Sequence, residues 1–334
     1  MAEPTRSRND TTASGMAFER PIREIEAQLA ELEEISQRTN LDLSSEIDAL
    51  KTRLGEEIQK TYAVLTPWER VNVARHTERP VVSDYIEKVL DDFIELHGDK
   101  VFGDDKAIVT GLARIADRRF LLVGHRKGRT TKERMMFNFG CAHPEGYRKA
   151  LRKMRLAAKM RLPIVSLINT PGAYPGIGAE ERGQASAIAE NILEMLALRT
   201  PILVIVIGEG GSGGALGIGV GDRVLMMEHS YYSVISPEGC AAILWKDGER
   251  TPDAAEALRL TAPDLLRHGL IDGIIPEPPG GAHRAPAEVA ATIRKTILTD
   301  LDALTRVPMR ELLELRRRKF RHAGEIQGRF PLVT

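Results

Sequence analysis

Residues 201–215 read Pro-Ile-Leu-Val-Ile-Val-Ile-Gly-Glu-Gly-Gly-Ser-Gly-Gly-Ala, an uninterrupted apolar run that passes directly into a glycine-rich loop. Residues 163–179 repeat the arrangement, since a proline and an apolar run lead into Thr-Pro-Gly-Ala-Tyr-Pro-Gly-Ile-Gly-Ala at residues 170–179. A strand that is covered on both faces of a sheet needs a continuous apolar run, because neither face meets water. The two segments therefore predict two buried strands of an α/β fold, each followed by a glycine loop.

Around these segments the sequence alternates between strand and helix patterns from about residue 100 onward. Strands are predicted from apolar runs, and helices from apolar side chains that recur every three or four residues. The predicted strands cover residues 107–115, 119–124, 164–169, 202–207 and 223–227. The predicted helices cover residues 147–160, 180–198, 253–261 and 286–305, and Pro263 begins a further short turn.

Residues 18–65 carry a different, purely helical pattern. Apolar side chains recur at three- and four-residue steps on both sides of a polar break at residues 38–40, and Asp42 or Ser44 can cap the second helix. This predicts an antiparallel helical hairpin whose apolar stripe packs either on its own chain or on another subunit. The predicted division of the chain is a disordered tail at 1–17, the hairpin at 18–66, a large α/β domain at 67–306, and a C-terminal helix and tail at 307–334.

The composition is typical of a globular protein in a reducing compartment. Lys plus Arg and Asp plus Glu both total 47, so no net charge favours nucleic acid or a membrane as partner. Cys141 and Cys240 lie far apart, which argues against a disulfide framework and against a cysteine zinc ribbon in this sequence. The longest apolar runs are too short to span a bilayer, and residues 1–16 lack the apolar segment of a secretory signal. We therefore expect a cytoplasmic protein without a metal of its own, in which Cys240 is a small core residue.

The two glycine loops, at residues 170–179 (the first glycine loop) and 208–215 (the second glycine loop), are the strongest candidates for a functional site. Glycine removes Cβ atoms, so the backbone can approach a ligand or a neighbouring segment closely. A loop between a buried strand and a helix start also directs unpaired N–H groups at one point, where they can stabilise an anion or a developing oxyanion. Close packing of strand and helix explains a single loop equally well, but two loops in matching units favour function.

The second glycine loop also matches nucleotide-binding motifs by spacing alone. Residues 208–213 fit GxGxxG, and Glu228 lies where the ribose-binding acid of a dinucleotide site is expected. The stretch 215–221 is too short and too rich in glycine for the crossover helix of such a site, so this interpretation is disfavoured. A P-loop is excluded because no Lys-Ser or Lys-Thr follows the glycines.

A serine hydrolase is a further alternative. Residues 210–214 fit the GxSxG nucleophile elbow around Ser212, with acids and His283 downstream. A stretch in which four of five residues are glycine matches this motif easily, and no local pattern marks Asp272 or His283 as a triad partner.

Three charged segments carry no specific chemistry in their pattern. Lys127 follows a predicted strand, where ligands often bind, and can meet a carboxylate or a phosphate, although a solvated surface position explains it equally well. The predicted helix at residues 147–161 is rich in Lys and Arg, and residues 316–319 read Arg-Arg-Arg-Lys. We interpret both as solvated surfaces, with binding of CoA phosphates or an acidic partner as the alternative for the helix.

Several segments, taken together, resemble the alpha-subunit family of the acetyl-CoA carboxylase carboxyltransferases. The resemblance runs from about residue 18 to the C-terminal region and leaves only the extreme tails unmatched. The segments are residues 104–108, 138–140, 144–150, 170–176, 178–184, 208–215, 233–240, 275–278 and 280–283.

The resemblance implies a crotonase-like fold, a superhelix of ββα units behind the N-terminal α-helical hairpin, with residues 67–306 as the carboxyltransferase domain. It implies transfer of the carboxyl group from N1-carboxybiotin on a biotin carboxyl carrier protein to acetyl-CoA, giving malonyl-CoA in the first committed step of fatty acid biosynthesis. The implied partners are a beta subunit with a cysteine zinc ribbon, in an α2β2 heterotetramer, and the biotin carboxylase of the ATP-dependent complex. Two residues depart from the family pattern: Asn169 stands where an acid is frequent, and Arg126 stands where Gln is common.

This reaction develops negative charge on the biotin urea and on the acetyl-CoA enolate, and both need N–H donors rather than a protein nucleophile. The resemblance implies that the alpha subunit holds the urea and the beta subunit most of the CoA. The predicted catalytic residues are Gly172, Ala173, Gly213, Gly214 and Ala215, of which the last three are favoured for the urea oxygen. The residues predicted to bind substrate or biotin are Lys127, Gly176, Gly178, Gly210 and Gly211. A non-catalytic scaffold built around the hairpin remains an alternative.

Overall fold

The computed structural model of this protein describes residues 16–39 and 41–323. Its strands join in one sheet, and helices pack on both faces of that sheet. The strands are β1 (Asp92–Glu95), β2 (Ile108–Ile115), β3 (Arg118–His125), β4 (Ile164–Thr170), β5 (Ile202–Gly211), β6 (Arg223–Met227), β7 (Tyr231–Ser233) and β8 (Gly273–Ile275). The α-helices of the described residues are α1 (Arg20–Thr39), α2 (Ser44–Ala63), α3 (Pro67–Ala74), α4 (Val82–Val89), α5 (Thr131–Met136), α6 (Pro144–Lys159), α7 (Ile177–Glu181), α8 (Gln184–Met195), α9 (Ser212–Leu216), α10 (Pro237–Leu244), α11 (Thr251–Ala257), α12 (Ala262–Arg267), α13 (Pro286–Arg306) and α14 (Met309–His322).

The sheet runs in the order β1-β2-β3-β4-β5-β6-β8, and β7 pairs with the carboxyl end of β5. β1, β2 and β3 are antiparallel neighbours, whereas β3, β4, β5, β6 and β8 are parallel. Parallel neighbours need crossover connections, which the intervening helices supply. The α/β class predicted from the sequence is confirmed.

The centre of the sheet is buried on both faces. Every residue of β4 and β5 is buried. Along β5 the even-numbered residues from Ile202 to Val206 join the core on one face, and the odd-numbered residues from Leu203 to Ile207 join the core on the other. This alternation arises because successive side chains of a strand point to opposite faces. The prediction of strands without a solvated face is confirmed.

The predicted elements are largely present, with corrections at their ends. All the predicted strands are found, and the turn predicted after Pro263 is the short helix α12. A single helix over 180–198 is wrong, because the chain forms α7 and then α8, with Gly183 between them at a φ of 81°. The predicted helix over 253–261 begins and ends earlier, as α11. Much of the second glycine loop is strand, since β5 extends to Gly211.

The predicted N-terminal hairpin is formed by α1 and α2. Lys51 of α2 pairs with Glu33 of α1, and the Tyr62 hydroxyl donates to Glu19 at 2.6 Å, so the two helices run antiparallel. The open end of the hairpin packs on the rest of this chain, because Ile22 and Tyr62 share an apolar cluster with Val73 of α3. Neither predicted cap is the N-cap residue, because α2 begins at Ser44 with Leu43 at its N-cap. Asp42 instead accepts from the backbone N–H and the hydroxyl of Ser44. Residues 1–15 of the tail predicted at 1–17, and residues 324–334 of the helix and tail predicted at 307–334, lie outside the described residues.

The basic helix α6 is not simply a solvated surface. Lys149 and Lys153 are buried, and their ammonium groups donate to the segment before β2: Lys149 to Asp104 at 2.6 Å and Lys153 to the His97 carbonyl at 2.9 Å. Arg148 donates to Asp99 at 2.9 Å. The interpretation of this face as solvent-exposed is therefore wrong for these residues, which fasten residues 97–105 to α6.

The interpretation of the basic run at residues 316–319 as a solvated surface is also wrong for Arg316. Arg316 is 1% exposed and pairs with Asp222, whose Oδ2 lies 2.6 Å from Nη2. Its guanidinium also donates to the carbonyls of Met195, Leu198 and Thr200 at 2.7 to 2.9 Å. The Arg316 side chain therefore attaches α14 to the segment between α8 and β5.

None of the helices in the described part of the chain combines the length and apolar character that a bilayer crossing requires.

Candidate active site

The two glycine loops lie side by side at the carboxyl ends of parallel strands. The first loop follows β4, and the second is the end of β5 with the start of α9. Thr170 and Gly210 pair across this edge of the sheet. In α/β sheets, ligands bind preferentially outside the carboxyl ends of the strands. The position of the loops is therefore that of a binding site.

The loops touch through backbone atoms. A Cβ atom added to Gly214 would lie 2.5 Å from the Ala173 nitrogen, and one added to Gly211 would clash with the Pro171 carbonyl. No residue with a side chain fits at either position without a backbone shift, so glycine is required here by close approach. The structure thus brings Gly214 together with Gly172 and Ala173, as a shared donor site requires.

The amide groups of the predicted donors differ in availability. The Gly172 N–H already donates to the Thr170 hydroxyl at 3.1 Å. Within the described ranges, no acceptor lies at hydrogen-bond distance from the Ala173 N–H. Gly213 and Gly214 lie in the first turn of α9, where N–H groups have no acceptor within the helix. Ala173, Gly213 and Gly214 are therefore better placed as donors than Gly172.

The other predicted glycines pack against different neighbours. Gly176 precedes α7 and faces the ring of Tyr174, and Gly178 lies within α7 near Arg182. Gly210 packs against the Tyr232 ring. The structure therefore shows a local packing reason for Gly176 and Gly210, and it places Gly178 on the helix that follows the loop.

A buried carboxylate within the second glycine loop was not predicted. Glu209 is 2% exposed, and its Oε1 accepts from Arg75 at 2.7 Å and from the Tyr231 hydroxyl at 2.8 Å. Its Oε2 pairs with the ammonium of Lys127, and its backbone N–H donates to Asn169 Oδ1 at 3.1 Å. Lys127, predicted to bind substrate or biotin, thus has Glu209 of the second glycine loop as its counter-ion.

The charge state of Glu209 follows from these contacts. Burial alone would raise the pKa of the Glu209 carboxyl, but the charges of Lys127 and Arg75 outweigh it and lower that pKa to about 2. Glu209 is therefore an anion at any physiological pH. Arg75 has a second partner, since Nη1 lies 2.5 Å from Glu238 Oε1.

A second polar group missed from the sequence supports the first glycine loop. The ring of His143 stacks on Tyr174 of that loop, with ring centroids 4.1 Å apart. Asp105 accepts from the His143 backbone N–H at 3.0 Å, and its Oδ2 lies 3.0 Å from His143 Nδ1. Asp105 also accepts from the Ala107 N–H at the start of β2, so His143 and Asp105 connect the first glycine loop to that strand.

The alternative motifs lose support in three dimensions. Ser212 does have a left-handed φ of 53°, a strained backbone that a nucleophile elbow would share. However, Asp272 accepts from Val224 N–H and Lys319, and the His283 ring stacks on His76 at 4.0 Å, so neither forms a triad with Ser212. The short α9 after the second loop is not the crossover helix of a dinucleotide site.

Among residues 16–39 and 41–323, no three His, Cys, Asp or Glu side chains are grouped to hold a metal ion.

Comparison with known proteins identifies the group to which this architecture belongs. A family model described as "Acetyl co-enzyme A carboxylase carboxyltransferase-like" matches residues 15–324. The chain belongs to this family. Relatives named acetyl-coenzyme A carboxylase carboxyl transferase subunit alpha include one from Rhodopirellula baltica, 52% identical over 93% of this chain and 97% of its own length. Another, from Thermus thermophilus, is 51% identical over 92% of this chain and 98% of its own length. The chain is thus an alpha-type carboxyltransferase subunit, a transferase.

Solved structures agree on the fold. A transcarboxylase 12S structure superposes with a TM-score of 0.52 at 20% identity, covering 65% of this chain and 42% of that one. The chain therefore spans less than half the length of that transcarboxylase. A Pseudomonas malonate decarboxylase hetero-tetramer in complex with coenzyme A gives 0.54 at 13% identity, covering 70% of this chain and 90% of the matched chain. These likenesses show the fold alone, and they confirm the crotonase-like class.

Proposed function

We propose that this subunit provides the biotin side of an acetyl-CoA carboxylase carboxyltransferase site. The carboxyl group passes from N1-carboxybiotin on a carrier protein to acetyl-CoA, and malonyl-CoA is formed for fatty acid biosynthesis. The backbone contact between Gly214 and Ala173, at the carboxyl ends of β4 and β5, is the observation that carries this proposal. It brings the backbones of the two loops together, and N–H groups supplied by both loops at such a contact suit an oxyanion better than a side-chain nucleophile.

Carboxybiotin, when bound, supplies the carboxyl group and takes up negative charge on its urea oxygen. The N–H groups of Ala173, Gly213 and Gly214 are the donors that this chain offers to that charge, each worth about 3–4 kcal/mol in a water-poor site. Ala215, also predicted as a donor, is the fourth residue of α9, a position whose N–H is used within the helix. Because donors fixed by strand and helix need no reorganisation as charge develops, they stabilise the transition state more than the ground state.

An apolar cavity beside the second glycine loop fits the rest of such a ligand. It measures about 520 Å³ and is bounded by Gly213 and Leu216 together with Val234, Leu270 and Phe320. An uncharged ring and its alkyl arm match this lining, whereas a phosphate would lose its hydration there without gaining a counter-charge.

The partners that we propose follow from the alpha-subunit character of the chain. They are a zinc-ribbon-bearing beta subunit, an α2β2 assembly, a biotin carboxyl carrier protein and the biotin carboxylase of an ATP-dependent complex. The proposed compartment is the cytoplasm, and no metal is proposed for this chain. The proposed domains are the hairpin at residues 18–66 and the catalytic domain at residues 67–306.

Reconstitution tests the proposed function. The purified chain is expected to be inactive alone, and addition of the matching beta subunit should restore carboxylation of free biotin that depends on malonyl-CoA. The measurement is the coupled release of acetyl-CoA. Full activity of the isolated chain would contradict the subunit proposal, and absence of transfer in the assembled pair would contradict the reaction.

The Ser212→Ala substitution separates this function from a serine hydrolase. We expect less than a tenfold loss of carboxyl transfer, because the reaction uses backbone donors, which the substitution keeps. A hydrolase nucleophile would instead lose about 10⁴-fold or more and would be labelled by a fluorophosphonate in the unaltered protein. Mass spectrometry of the Ser212 peptide after labelling decides between the two.

A further inference from the structure

The geometry points to Glu209 as a positioning residue: its carboxylate holds the Lys127 ammonium beside the second glycine loop, where that ammonium meets the carboxyl group in transfer. This inference rests on the proposed function for its substrate. It concerns side chains, whereas the proposed oxyanion site is built from backbone amides.

Three features place the pair at the site. Lys127 follows β3, Asn169 ends the apolar run of β4, and Glu209 lies near the end of β5, so all three stand at the carboxyl ends of neighbouring parallel strands. Asn169 Oδ1 accepts from the Glu209 backbone N–H, which ties the backbone of Glu209 to the residue that leads into the first glycine loop. Movement of Glu209 would therefore disturb both loops.

The space beside Lys127 suits a small group. A cavity of about 60 Å³ is bounded by Lys127, Arg75, Asn169 and Phe139. That is room for a small group such as a carboxylate, since a cavity of about 10–15 Å³ already holds one water. An ammonium has three N–H donors, and Glu209 occupies one side of it, so donors remain for a second anion.

The charged groups around Glu209 include more than the single cation that a structural ion pair requires. Glu209 faces two cations, Lys127 and Arg75, whose side chains are 17% and 26% exposed, while its own is 3% exposed. Arg75 also shares its charge with the half-exposed Glu238. The Cys141 thiol lies close enough to interact with the same charges, and burial raises its pKa to about 11, so it stays neutral. The anion is buried and the cations face outward, which is the orientation required to attract a carboxylate.

The test compares four forms of the full chain assembled with its beta subunit: unaltered, Glu209→Gln, Lys127→Met and the double variant. Each single substitution is expected to lower kcat about 10²-fold, the loss typical of a misplaced reacting group. The double variant should match Lys127→Met within about twofold, because Glu209 acts through Lys127 and has nothing left to position.

Glu209→Asp, which keeps the charge on a shorter side chain, should recover part of the activity that Glu209→Gln loses. Glu190→Gln, which breaks an exposed pair with Arg155, is the matched control and should leave kcat unchanged.

A second measurement does not require activity. Acetic anhydride at a fixed pH acetylates neutral amines, and mass spectrometry of the Lys127 peptide gives the rate. We expect the rate to rise at least tenfold in Glu209→Gln, because the ammonium loses its counter-ion while Arg75 remains close. Equal rates in the two proteins, or a double variant whose loss is the product of the single losses, would overturn the inference. An inactive unaltered complex would instead contradict the proposed function, and the acetylation rates would still decide the role of Glu209.

Discussion

Replacement of Gly214 by alanine is expected to abolish carboxyl transfer, with a loss of about 10²–10³-fold in kcat for the assembled enzyme. The added methyl group would lie 2.5 Å from the Ala173 nitrogen, well inside van der Waals contact. Either loop must then move, and the N–H groups of the two loops no longer point at one position. The KM for malonyl-CoA should change little, since the proposed CoA contacts lie mainly on the beta subunit.

Gly213→Ala is the matched control for this experiment. The same methyl group at the preceding residue would meet only Ile188, at 3.7 Å, which is an ordinary contact. It should therefore keep activity within about tenfold, although both variants lose one glycine from the same loop. Circular dichroism and thermal unfolding of both variants check that the difference lies in the loop geometry. Full activity of Gly214→Ala would favour the non-catalytic scaffold.

The sequence predicts the centre of this fold well because local chemistry determines it. A strand such as β5 must be apolar at every position when helices cover both faces, so its composition alone identifies it. The glycines that follow mark the close approach of the loops for a similar reason. Short edge elements such as β1 and β8 have four and three residues and carry no comparable pattern, so they were missed.

The polar parts of the site could not be predicted because their partners are distant in sequence. Glu209 lies between glycines and looks like a loop residue, yet its carboxylate is neutralised by Arg75, 134 positions earlier. Nothing around Arg75 distinguishes it from a surface arginine. The basic residues of α6 were assigned to solvent for the same reason, since periodicity shows which face is charged but not which carboxylates cover it.

The largest stability effect is expected for Arg316→Met. The side chain is 1% exposed and makes five hydrogen bonds, two to Asp222 and three to backbone carbonyls. Methionine fills a similar volume but leaves the buried Asp222 carboxylate without its counter-charge and the carbonyls without a donor. Breaking one side of a buried ion pair costs about 3–5 kcal/mol. Urea unfolding followed by circular dichroism measures this loss.

Arg317→Met is the control, because Arg317 is the next residue on α14 and is exposed. Exposed substitutions of this kind change the unfolding free energy by about 0.5 kcal/mol or less. Hydrogen exchange adds a local test: Arg316→Met should raise exchange along α14, while the strands of the sheet centre stay protected. Equal unfolding midpoints for the two variants would show that α14 is held without the Arg316 hydrogen bonds, by its other contacts, which include the buried Leu312 and Leu313 and the pair between Lys319 and Asp272. A difference confined to Arg316 would show instead that the buried Arg316 guanidinium anchors this helix and that the exposed Arg317 does not.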